Sequence, residues 1–256
     1  MGFILNISPY SFNTSYSINR SLWDSIKAME KLSSGLAINS AADDPAGLVI
    51  SEQLRSSIAT LNQEIENLSA SIGKYETTSS VVQNLRSDLT ELRSLAVGAA
   101  NEGFNSESAQ QAYADSANEL IATYNHTIAN AEYNGTKTLD GSEGSLASLE
   151  ALQGIDLSTA EGATEALAAI DSTASQLDGV LGDLGAKQRY ELESQLNNLQ
   201  VERQNLIAAE SQIRDVNFFD EYSDFIASEI RTKAAVALLA HSFLMQDSVL
   251  DLFKNR

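Results

Sequence analysis

Cysteine is absent from this chain, which removes disulfides, thiolate metal sites and thiol nucleophiles. Histidine is nearly absent, represented by His126 and His241, far apart in sequence. The commonest general base and metal ligand is therefore scarce, and no Gly-rich loop followed by Lys offers a phosphate cradle. The sequence gives no catalytic, cofactor or metal site, and an enzyme is not expected. Positive charge is also short, with 16 Lys and Arg against 35 Asp and Glu and a net charge of −19. Between Ser94 and Ala186 a single base, Lys137, faces fourteen acids running from Glu102 to Asp183. Such a stretch repels a phosphate backbone, so nucleic acid is excluded as a partner, and it reads as facing outward from whatever the protein builds. Long apolar runs are missing too. No window approaches the roughly 20 apolar residues of a spanning helix, so no membrane insertion is expected. The uncharged start MGFILNISPYSFNTSYSIN lacks the basic start and small-residue cleavage site of a secretory signal. The expectation is a chain that stays in the cytoplasm or leaves by a route that reads something else.

Proline occurs only at Pro9 and Pro45, so almost nothing forbids helix. From Leu54 the apolar residues run Leu54, Ile58, Leu61, Ile65, Leu68, Ile72, Tyr75, Val82, with Ser79 in the next seam place. Leu85, Leu89, Leu92 and Ala96 follow after one shifted step. A repeat of about 3.5 residues sustained this long is a coiled-coil seam. Later, Ile170, Leu177 and Leu184 are seven apart, and after a one-residue skip Leu192, Leu199, Leu206 and Ile213 are again seven apart. Two such arms, each roughly 70 Å long at about 1.5 Å per residue, pair most simply as an antiparallel hairpin. The fold class is all-α: an elongated antiparallel coiled-coil hairpin of N- and C-terminal arms, residues 45–100 and 165–214. The region between contains a helix near 106–131 and a short irregular middle, 132–164. There EYNGTKTLDGSEGS carries Asn-Gly and Asp-Gly turn signals and supports at most a small β-hairpin.

Two further helical stretches flank the arms. Residues 17–34 set Ile18, Leu22, Ile26, Met29 and Leu32 on one face. Residues 218–253 carry Phe219, Tyr222, Ile226, Ile230, Ala234, Ala237, His241, Leu244 and Leu252, and within them KAAVALLAHSFLM, including Leu238, is apolar nearly all round. A helix of that kind must be buried. A lone hairpin offers it no core, so burial against other copies is the expectation.

Between the first flanking helix and the first arm lies KLSSGLAINSAADDPAGL, residues 31–48. Gly35 suits the position past a helix C-terminus, where a left-handed backbone costs it little. Asp44 suits an N-cap with Pro45 at the first helical position, and Asp43 adds negative charge near the positive end of the helix dipole. The Asp pair has no visible partner base or ligand set, so it reads as geometry rather than chemistry.

At these residues the sequence resembles bacterial flagellin. EKLSSGLAINSAADDPAGLVISEQLRSSI (30–58) is similar to the family's N-terminal signature, with Ala37 where a basic residue is usual. The match resumes at TELRSLAVGAAN (90–101), EYNGTKTLDG (132–141), LGDLGAKQRYELESQLNNL (181–199) and IAAESQIRDVNFFDEYSDF (207–225). Departures include Asn217 for a usual Asp, Arg189-Tyr190 for Asn-Arg, and His241, Ser242 and Phe243 where Gln-Ala-Asn is common. The resemblance implies a structural subunit exported unfolded through a flagellar type III apparatus and polymerising into a hollow filament for swimming. It implies an inner terminal domain, residues 1–43 plus 216–256, and a rod-like core domain, residues 44–215, with no outer domains. Leu22, Ile26, Met29, Leu32, Phe219, Tyr222, Ile230, Leu238, Leu244 and Leu252 would carry self-assembly, and Gly35, Asp43, Asp44 and Pro45 would form the junction between domains. The implied partners are other copies, hook-associated and cap proteins, an export chaperone at the C-terminal tail and the export apparatus. The implied location is the flagellum, extracellular, or periplasmic in a spirochaete. The runner-up is a hook–filament junction protein of the flagellin-like type. Glu91, Arg93 and Leu95 fall where the resemblance implies that flagellins meet their Toll-like receptor, and alignment on Leu95 sets the usual base at Leu92 or, by the commoner register, at Glu91, an acid.

Overall fold

The computed structural model describes residues 9–101, 105–142 and 145–254, and the side chains of residues 12–101, 105–142 and 145–245 among them. The elements are α1 (Pro9–Ser34), α2 (Pro45–Ala99), α3 (Glu107–Asn130), β1 (Glu132–Tyr133), β2 (Thr136–Lys137), α4 (Ala160–Ala186), a π-helical turn (Lys187–Leu192), α5 (Glu193–Arg214) and α6 (Phe218–Lys254). The fold is all-α apart from the two-residue strands. Its contacts divide into two units, one made of residues up to 60 and from 203 onward, the other of residues 61–202.

In the 61–202 unit the apolar period of α2 becomes a core. Val82, Leu85, Leu89, Leu92, Ala96 and Ala99 are buried against Ile170, Leu177 and Leu184 of α4 and Ala114, Ala117, Tyr124 and Ile128 of α3. Each fully buried large side chain contributes about 1.5–3 kcal/mol relative to exposure. The helices run antiparallel. Arg86 donates from Nε and Nη2 to the Asp178 carboxylate (2.7 and 3.1 Å), and Arg93 likewise to Asp171 (2.7 and 3.4 Å). Both pairs are half exposed, so they contribute little stability, but their fork geometry fixes register. They also hold both carboxyls below the usual carboxylate range.

Two details of the seam differ from the sequence reading, and each has a local cause. Between Tyr75 and Val82 the fully buried residue is Thr78 rather than Ser79. Its hydroxyl donates to the carbonyl of Lys74 one turn back (2.8 Å), which makes it tolerable in a core. Ile72, Tyr75 and Thr78 are therefore spaced by two successive threes, a local overwinding of the heptad. The second arm is not one α-helix, because the π-helical turn interrupts it. An i→i+5 turn holds one extra residue, and it sits between Leu184 and Leu192, where the spacing widens from seven to eight.

The irregular middle is also part of this core. Leu139, Leu149, Leu152 and Leu157 are buried with the helices, while Asp140, Glu150 and Asp156 of the same stretch are exposed. Asn125 of α3 clamps it: its side-chain oxygen accepts from Leu152 N (2.8 Å) and its Nδ2 donates to Leu152 O (3.1 Å). Gln110 donates to the carbonyls of Ala99 and Leu157 (2.9 and 3.1 Å), satisfying an otherwise open helix end. The hairpin turns on Asn134 (φ 50°) and Gly135 (φ 75°), the positive φ pair that a two-residue turn requires.

In the terminal unit α1 packs along α6 through small side chains. On α1, Ser21, Ser25 and Ala28 are buried, with Thr14, Ile18 and Leu32 half-buried on the same stripe. On α6, Ser228 is buried, flanked by half-buried Phe225, Thr232, Ala235, Leu239 and Ser242. Both stripes step by four and three, the spacing of a coiled-coil seam. The expected apolar face of α1 is thus split. Ile18 and Leu32 join the seam, whereas Leu22, Ile26 and Met29 are exposed.

Candidate assembly surface

The break between α1 and α2 is built from local chemistry. Gly35 has φ 75°, and its N–H donates to Lys31 O (2.9 Å), closing α1 with a left-handed residue. Asp44 Oδ1 accepts from the N–H groups of Ala46 and Gly47, both at 3.0 Å. Two of the open donors at the start of α2 are thereby satisfied, and Pro45 occupies the first turn without wasting a donor.

Asp43 does something other than face the helix dipole. One carboxylate oxygen receives Lys27 Nζ of α1 (2.9 Å). The other accepts from Asn39 N (3.3 Å), Ser40 N (3.0 Å) and Ser40 Oγ (3.1 Å). The Lys27 bond first, then the Ser40 and Asn39 donors, pull the carboxyl down to about 2 against partial burial. Asp43 therefore ties the connecting loop back to α1.

Sequence reasoning missed the other half of this junction. Leu36 and Asp215 form an antiparallel bridge, with Ala37 N donating to Arg214 O (2.7 Å) and Val216 N to Gly35 O (3.0 Å). The α1–α2 and α5–α6 breaks thus meet as a strand-like pair. Arg214 donates to Glu52 (2.9 Å) and Ser51 (3.4 Å), and the buried Ser51 hydroxyl donates to Glu210 (3.1 Å). Lys31 reaches Glu221 (3.3 Å). Asn217 then caps α6, its Oδ1 accepting from Phe219 N (3.2 Å).

Around the small-residue seam lies a large apolar surface. Phe12, Tyr16, Leu22, Trp23, Ile26 and Met29 of α1 are exposed, as are Phe219, Tyr222, Ile230, Leu238 and Leu244 of α6. Phe219 alone is 79% accessible. Leu32 is half-buried in the seam. Leu252 lies in α6, with its side chain outside the described residues. Of the residues at the receptor-like position, Glu91 is exposed, Arg93 is held by Asp171, and Leu95 packs half-buried against the core.

Among the described residues no group of His, Asp and Glu gathers as a metal site, and no helix is long and apolar enough to cross a membrane. On α1 and α6 the seam residues cover one another, and Leu22, Trp23, Ile26, Met29, Phe219 and Tyr222 face out. An apolar area of this extent marks an interaction surface. The chemistry available here is association.

Comparison with known proteins gives this surface a context. Residues 6–144 match the family model described as bacterial flagellin N-terminal helical region. Residues 167–253 match the bacterial flagellin C-terminal helical region. A flagellin of Halalkalibacterium halodurans is 34% identical over 98% of this chain and 100% of its own length. A flagellin of Bacillus subtilis is 29% identical over 98% and 99%, and Flagellin FlaB1 of Treponema pallidum is 28% identical over 89% and 92%.

Proposed function

Because the chain belongs to the bacterial flagellin family, and is a structural subunit that self-assembles into the flagellar filament, we propose that the exposed apolar faces of α1 and α6 are where its copies pack. The observation that carries this is the division of labour on those helices. The buried positions of the seam are small, Ser21, Ser25, Ala28 and Ser228, and most of the large apolar residues, Leu22, Trp23, Ile26, Met29, Phe219 and Tyr222 among them, are left uncovered. Burying them against neighbours supplies the driving force, at about 25 cal/mol per Å² of apolar surface, and makes stability depend on assembly.

In this reading residues 1–43 and 216–256 form an inner terminal domain and residues 44–215 a rod-like core domain, joined by the junction of Gly35, Asp43, Asp44 and Pro45. Leu22, Ile26, Met29, Leu32, Phe219, Tyr222, Ile230, Leu238, Leu244 and Leu252 serve assembly. The chain is exported unfolded through a type III apparatus. The lack of cysteine suits that route, since no crosslink forms on the way. A chaperone shields the apolar tail before export, and hook-associated and cap proteins meet the ends of the polymer. The filament is extracellular, or periplasmic in a spirochaete. The hook–filament junction alternative has no observation in its favour over the filament subunit.

The test is removal of residues 234–256. The truncated chain is expected to remain a helical monomer that does not extend seeded filaments, scored by electron microscopy. Long filaments from it would refute the role given to α6. We also propose weak recognition by the flagellin-sensing receptor, because exposed Glu91 presents the wrong charge. Strong activation by nanomolar purified monomer would contradict that.

A further inference from the structure

Most of the cations whose side chains are described are engaged within the chain. Lys27, Lys31, Arg55, Arg86, Arg93, Lys137, Arg214 and Lys233 all sit in ion pairs. Among the residues whose side chains are described, Arg20, Lys187 and Arg189 are the cations whose side chains make neither an ion pair nor a hydrogen bond. Two of the three lie on the same π-helical turn, together with Tyr190, which is 76% accessible. Asp183, Glu191 and Glu193 are exposed nearby but lie beyond ion-pair distance of either cation. Gln188 anchors the turn to α2 by donating to Glu76 (3.3 Å). The anchor leaves Lys187, Arg189 and Tyr190 facing solvent.

The surroundings of this turn are unfinished in a way the rest of the unit is not. Where α3 and the 139–157 stretch cover α2 and α4, the seam residues are fully buried. Further along, Leu68, Leu192 and Leu199 are only half-buried, and α5 has no buried residue. Two adjoining clefts open there, of about 470 and 410 Å³. Leu68 and Leu199 line the first, Lys187 and Tyr190 line the second, and Gln195 borders both. Irregular π turns often mark functional sites, and Tyr and Arg are the side chains enriched at the centre of interfaces.

We propose that Lys187, Arg189 and Tyr190, with the adjoining cleft between α2 and α5, dock the acidic outer face of α3 from a second copy of this chain. The occupant follows from charge. Glu107, Asp115 and Glu119 project from α3 exposed and without a cation in their own subunit, in a region whose single base, Lys137, is already paired with Glu132. Between chains of net charge −19, a free cation set opposite an acid of the neighbour offsets part of their mutual repulsion. The proposal rests on the filament reading and adds to it a side-to-side recognition site outside the terminal helices.

The experiment measures the subunit concentration left free at equilibrium with seeded filaments. A chain with Lys187→Glu and Arg189→Glu is expected to leave about tenfold more free subunit than the parent, and so is a chain with Glu107→Lys, Asp115→Lys and Glu119→Lys. Combining all five changes in one chain restores the parent value to within about twofold. Added salt narrows the gap between parent and single-side variants. All five positions are exposed, so monomer melting should move little. Should the Glu variant melt early, Lys187→Gln with Arg189→Gln serves instead, with an expected effect of about threefold. Unchanged free concentration in either single-side variant overturns the proposal, as does a combined chain no better than its halves. Failure of the parent itself to polymerise would count against the filament reading instead.

Discussion

Replacing Asp43 by Asn tests the junction most directly, because it removes a charge and leaves an acceptor oxygen of the same shape. The Lys27 ammonium at 2.9 Å and the Ser40 and Asn39 donors lower the Asp43 carboxyl from 3.8 to about 2. At about 1.36 kcal/mol per unit this corresponds to a little over 2 kcal/mol. Lys27 is largely exposed, and solvent screens its contribution, so about 1–2 kcal/mol is the expected loss for Asp43→Asn at pH 7. The sign follows from the direction of the shift. A depressed carboxyl stabilises the fold fully above its unfolded pKa of about 3.8, and that contribution disappears as pH falls through about 2. The gap between parent and variant should therefore be open at pH 5–7 and close between about pH 4 and 2. Other carboxyls, such as Asp171 and Asp178, are also lowered by their arginine partners, so the difference between the two curves is the quantity to read. Trp23, the sole tryptophan, lies on α1 close to Lys27, and its fluorescence anisotropy during urea unfolding of the monomer reports this helix. A gap that persists undiminished at pH 2, or no gap at pH 7, would refute the ion-pair account of the junction.

Two further perturbations separate the units. Leu177→Ala empties a site that is 0% accessible and should cost about 2–5 kcal/mol, read as earlier thermal loss of helical circular dichroism; a loss under 1 kcal/mol would mean the core is not sealed there. Ala28→Leu drives three extra carbons into the small-residue seam between α1 and α6, an overpacking worth about 1–3 kcal/mol. It should loosen α1 in the Trp23 signal while leaving the melting of the 61–202 unit alone, whereas a more stable α1 would mean the seam has room to spare.

Much of the core was legible because a seam of large apolar residues leaves a periodic trace in sequence. Leu85, Leu89, Leu92, Ile170, Leu177 and Leu184 fall where that period places them. The α1–α6 seam was not legible. Ser21, Ser25 and Ser228 carry no apolar signal, and the eye goes to Leu22, Ile26 and Met29, which share the helix but not the contact. Nor did the irregular middle announce that Leu139, Leu149, Leu152 and Leu157 close the core, because four leucines without a period look like loop.

The sequence by itself determined what depends on neighbours along the chain. Helix content, the glycine stop at Gly35, the aspartate start at Asp44, the Asn-Gly turn and the one-residue skip before Leu192 are local, set by steric limits and hydrogen bonds within a few residues. Tertiary structure alone decided which faces meet. That Thr78 and not Ser79 is buried, that Asp43 reaches back to Lys27, and that residues 35–37 pair with 214–216 all depend on chain segments far apart in sequence. The physical reason is that helix and turn energies are paid within one or two turns, whereas the choice of buried face is a difference between packings that only the assembled neighbours can supply.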